Sequence, residues 1–62
     1  MLTDALKNDI HAMFELNNEL LQRCVGDLDA DEQVDFQVVS LLADCKQALY
    51  AASVIAGKIN IG

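Results

Sequence analysis

Apolar side chains in the first half of the chain recur at steps of three and four: Leu6, Ile10, Met13, Leu20 and Cys24, with Asn17 filling the one polar position of the stripe. This spacing is that of one face of an α-helix. Phe14, Leu21 and Leu28 widen the stripe along one flank. Thr3 stands where an N-cap belongs and Asp4 lies in the favourable first turn, so helix one is expected over about 3–27.

The second half is more regular. Val34, Val38, Leu41 and Cys45 continue through Ala48, Ala52, Ile55 and Ile59 in strictly alternating steps of four and three. That repeat is the seam of a coiled coil or a four-helix bundle. Leu42, Leu49 and Ala56 form an adjacent row, seven residues apart. One hairpin needs a single seam on each helix, so two rows predict that helix two, about 31–58, faces helix one and also a partner chain. The alanines four apart at 48, 52 and 56 would let helices approach closely.

Between the halves lies GDLDADEQ, residues 26–33, dense in acidic side chains. Asp29 and Glu32 have the spacing of a capping box, with Asp in place of Ser or Thr, and Asp31 and Asp35 add negative charge near the positive end of the second helix. A calcium loop needs more oxygen ligands and a longer segment. The stretch therefore reads as a helix stop and start, with the turn at about 28–30. Residues 1–62 form one all-α domain, a helical hairpin expected to pair as a homodimeric antiparallel four-helix bundle.

Chain length supports the pairing. With 62 residues, a monomer hides only about 60% of the surface its unfolded form exposes, and association is the natural supplement. Two cysteines and one histidine without a compact cluster argue against structural zinc, and no cofactor or metal is expected. With a turn at 29 or 30, Cys24 and Cys45 would lie about 15 Å apart along the helix axis. That is beyond disulfide reach, which leaves buried small apolar residues as their expected role. The opening MLTDALKNDI lacks a basic segment followed by an apolar run, so cytoplasmic residence is expected. The longest uncharged run, Gln47 to Gly57, is eleven residues, short of the roughly 20 a membrane-spanning helix needs. The net charge of −6 disfavours non-specific nucleic-acid binding.

Few side chains invite chemistry. His11 is the only histidine, with Asp4 and Glu15 at helical distance, but no serine or cysteine completes a nucleophilic arrangement with it in the sequence. An enzyme is not expected. Asn17 either fixes register and partner number, as a buried polar seam residue does, or sits wet at the seam margin. Phe14 and Tyr50 are either aromatic anchors for a partner or core packing.

The run LDADEQ (28–33), Asp35 and the Leu49-Tyr50 pair, together with the chain length, the central turn, the small residues of the seam and Phe14, resemble the Rop family of small plasmid-encoded, RNA-binding copy-number regulators. The resemblance implies an antiparallel dimer of hairpins. It also implies binding of two paired RNA loops on the face formed by helix one and its mate. Phe14 would match the family's exposed phenylalanine and Asn18 its polar amide. Thr3 and Cys24 stand where the family has lysines, and Ile10 where it has an asparagine. Lys7, His11, Gln22 and Arg23 are the neighbouring donors that could serve instead, with Asp9, Glu15 and Glu19 opposing them.

Two functions follow as expectations. The first is a non-enzymatic, dimeric regulatory or adaptor protein acting on another protein, favoured by the acidic surface and apolar excess. The alternative is an RNA-binding modulator of paired RNA loops, acting through Lys7, His11, Phe14, Asn18, Gln22 and Arg23. A peripheral membrane role is disfavoured because the apolar helix lacks a lysine-rich rim.

Overall fold

The computed structural model describes residues 1–27 and 33–60. It is an all-α hairpin of two helices, α1 (Asp4–Gly26) and α2 (Gln33–Ile55), packed along their length, with no strand among the described residues. The turn expected at 28–30, the start of the second helix at 31 and the capping pair Asp29 and Glu32 lie outside the described residues, as do the side chains of Gln33 and Val34.

Local chemistry accounts for the ends. Thr3 is the N-cap of α1: its backbone is extended, φ −71° and ψ 162°, and its hydroxyl accepts the Leu6 N–H at 3.2 Å. This satisfies one of the donors a helix start leaves free. Asp4 lies in that first turn and Arg23 in the last, both matching the helix dipole. The Asp27 N–H closes α1 by donating to the Arg23 carbonyl at 3.1 Å.

α2 ends at Ile55, short of the expected 58. Gly57 takes the left-handed conformation, φ 78°. Its N–H donates to the Val54 carbonyl at 3.0 Å, and the Lys58 N–H donates to the Ser53 carbonyl at 2.9 Å. This pair of bonds is the Schellman stop, which a residue without a Cβ adopts at little cost. Ile59, the last position of the expected seam, consequently leaves the helix.

The described chain extends 45 × 23 × 16 Å, a single layer of helices in which each has one neighbour. No apolar residue among those described is buried; Asn17 and Ser53 are the buried side chains. The contact between helices is fixed by two crossings, His11 to Ser53 and Phe14 to Tyr50. Each step of three along α1 is matched by three back along α2. This register sets Cys24 level with Ser40 and Cys45 level with Glu19, so the two thiols differ by about 7.5 Å along the axis. That is half the separation expected from a turn at 29 or 30. Both are free; Cys24 is half-buried and Cys45 exposed rather than buried.

Candidate functional site: an open apolar face and a polar cross-link

Helical periodicity sorts each helix into two sides. On α1, Ile10, Asn17 and Cys24 stand at the border of the contact with α2, while Leu6, Met13 and Leu20 point away from it and are exposed. On α2, Leu42, Leu49 and Ala56 are half-buried on the side toward α1. Val38, Cys45 and Ala48 are exposed, Leu41 is 68% and Ile55 87% exposed, and Ala52 is half-buried. The two exposed stripes flank the same side of the hairpin. Two grooves that draw on both helices confirm this: one of about 300 Å³ includes Leu20 and Cys24 with Val38 and Val39, and one of about 410 Å³ includes Leu2 and Ile10 with Ala52 and Ile55. The seam read from the sequence is therefore mainly an outward apolar face. It is not the interior of the hairpin.

The interior is polar where the sequence offered no warning. The His11 Nε2 is 3.2 Å from Glu15 Oε1, and His11 Nδ1 is 3.4 Å from Ser53 Oγ. With Nε2–H donating to the carboxylate, Nδ1 is left to accept the serine hydroxyl. Sequence reading found no serine for His11; the fold supplies one from 42 residues away. A Ser, His and Glu in a chain have the connectivity of a nucleophilic triad, but Ser53 is 0% exposed. A substrate carbonyl cannot reach its hydroxyl, and the arrangement works as a cross-link between helices. The His11 ring stacks on Phe14, centroids 6.0 Å apart at 22°, and Phe14 meets Tyr50 at 5.7 Å and 57°. Such ring pairs contribute about 0.5–1.5 kcal/mol each beyond burial.

The residues proposed for RNA are thus divided. Phe14 is half-buried between two rings, not exposed; Lys7, His11 and Asn18 are half-buried against α2, and Gln22 and Arg23 are exposed. Among the described residues, no group of three or more His, Cys, Asp or Glu side chains is placed to hold a metal ion. Sequence reasoning passed over Phe36, which is 48% exposed. It lies two heptads from Tyr50, on the side of α2 away from Val38 and Cys45, and that spacing was the available signal.

The 21-residue stretch Asp35–Ile55 is long and apolar enough to cross a membrane by length and composition, which the count of uncharged residues alone did not indicate. Asp44 and Lys46 stand at its middle, however. A charge at the centre of a spanning helix costs about 2.5–3.5 kcal/mol. No protein-family model, curated protein or solved structure matches the chain.

Proposed function

We propose that the chain is a non-catalytic regulatory or adaptor module that folds as a homodimeric antiparallel four-helix bundle and acts by binding another protein. The observation that carries this reading is the apolar face shared by both helices and left open in the single hairpin. Its size is appropriate. The chain exposes 4750 Å², whereas a compact monomer of 6.8 kDa exposes about 3,950 Å². The excess of about 800 Å² is what each partner contributes to a standard interface. Once that face is covered, Tyr50 and Phe36 remain on the opposite side of α2 as aromatic anchors for the protein partner.

Less supports RNA as the partner. Phe14 is occupied by Tyr50, two of the donors are half-buried, and the net charge is −6. Sedimentation velocity over a concentration series tests the reading: a dimer at micromolar concentration is expected, and a monomer throughout rejects it. Titration with structured RNA at low salt is expected to show no binding. Affinity that falls with added salt would move the assignment to the RNA modulator.

A further inference from the structure

We propose that the second copy seats on the open face about a two-fold axis passing at Asn17, and that the two Asn17 carboxamides bond to each other there, each Nδ2–H donating to the other's Oδ1. This arrangement rests on the antiparallel homodimer proposed above and adds its axis and its central contact.

The first support is an orphaned atom. Asn17 is 9% exposed, and its Oδ1 is buried with no hydrogen-bond partner among the described residues. A buried acceptor left unpaired costs about 1–3 kcal/mol. The residue stands at the border of the open face, between Ile10 and Cys24 on its own stripe. Rotation about χ2, which is broad for asparagine, turns the amide toward that face.

The second support is register. The His11–Ser53 and Phe14–Tyr50 crossings carry Asn17 to the level of Gln47 on α2. The outward stripe of α2 from Val38 to Ile55 has its centre between Cys45 and Ala48, at that same level. A two-fold axis through this level, perpendicular to both helices, lays each helix antiparallel on its own mate and places the two turns at opposite ends of the bundle. Leu41 then meets the partner's Ala52, and Cys45 meets the partner's Ala48. Large side chains thereby face small ones, as interdigitated layers require.

The third support is chemistry. In an isologous pair, a residue on the axis meets its own copy. Asparagine carries both donor and acceptor and can satisfy itself there. A leucine on the axis would pack without fixing the register, whereas a misaligned asparagine would face apolar groups.

The test begins from a chain carrying Cys24→Ala and Cys45→Ala. Asn17→Cys in that background is expected to give an interchain disulfide as the main product of copper–phenanthroline oxidation, because residues on the axis fall within the roughly 7 Å Cα separation a disulfide spans. Ile10→Cys, about 10 Å from the axis and about 21 Å from its mate, is expected to remain reduced. Should the substitutions impair folding, NMR on an equal mixture of isotope-labelled and unlabelled wild-type chains gives the same answer. Interchain NOEs are then expected from the Asn17 side-chain amide to the partner's Met13. Sedimentation of the same samples separates two failures. A monomer throughout removes the homodimer and this contact with it. A dimer that cross-links through Ile10→Cys, or whose Asn17 amide contacts the partner's Cys45 or Ala48, keeps the homodimer and overturns the axis.

Discussion

The two sides of each helix invert the usual order of a small protein. Between α1 and α2 lie His11, Asn18 and Ser53, the Phe14 and Tyr50 rings and the half-buried Leu42, Leu49 and Ala56, with Asn17 at the border. Facing outward on one shared flank lie Leu6, Met13, Leu20, Val38, Leu41 and Ile55. Hydrogen bonds contribute only about 0.5–1.5 kcal/mol each, net of water, whereas burying one large apolar side chain contributes about 1.5–3 kcal/mol. The side that holds the hairpin together thus combines a few polar contacts with apolar side chains that are only half-buried, and the outward stripe has nothing to pack on among the described residues. In the proposed dimer, a helix pair of this kind would be half of a core.

The contrast is most easily broken at Leu41. If its side were solvent-facing in the working protein, Leu41→Ala would change stability by no more than about 0.5 kcal/mol, as at ordinary surface positions. Packed against a second copy, the same truncation is expected to cost about 2–5 kcal/mol per chain. That would lower Tm by 10 °C or more for a domain of this size, with the loss growing on dilution. Thermal melts at two protein concentrations check both features.

Ala52→Leu probes the same side from the opposite direction. Ala52 is half-buried in the groove that includes Leu2 and Ile10, and it is small where the proposed dimer would bring a facing helix close. Added methylenes are expected to cost about 1–3 kcal/mol by overpacking, or to change the number of chains in the assembly. Equal stability with an unchanged sedimentation coefficient would reject a close-packed seam.

The sequence was most legible where periodicity carried the signal. The three-and-four spacing located both helices and both rows of α2, and the small-side-chain logic of capping located Thr3. It was least legible where contacts are long in sequence. Ser53 and His11 are 42 residues apart, and no local pattern announces a serine that will fill the space beneath a histidine. For Phe14 the sequence leaves two roles open, partner anchor or core packing, and the contact with Tyr50 on the other helix decides for packing. The end of α2 was missed for a different reason: hydrophobic spacing continued to Ile59, while the backbone was decided by one glycine.

Gly57 offers a control outside both sides. A Cβ there would meet nothing within 4 Å, so the only obstacle to a side chain is its φ of 78°. Gly57→Ala is expected to cost about 1 kcal/mol through backbone strain alone. The dimer fraction measured by sedimentation under native conditions should be unchanged. A change in association equal to that of Leu41→Ala would mean that the outward stripe is not the specific determinant.

Ser53→Ala is expected to have the smallest effect, and it measures how much the polar side contributes. At 3.4 Å the contact between Ser53 Oγ and His11 Nδ1 is long, which places it at the weak end of the range for hydrogen bonds. Removing the hydroxyl does not strand its partner, because the His11 side chain is 30% exposed and water can reach it. Alanine also has the better helix propensity by a few tenths of a kcal/mol. These terms oppose each other, so the net change should lie within about 0.5 kcal/mol, a Tm shift of a few degrees at most. Ser53→Val, at a position with no free surface, should instead show the cost of overpacking. If Ser53→Ala alone lowers Tm as far as Leu41→Ala does, the cross-link between helices, and not the outward apolar face, is the principal source of the fold's stability.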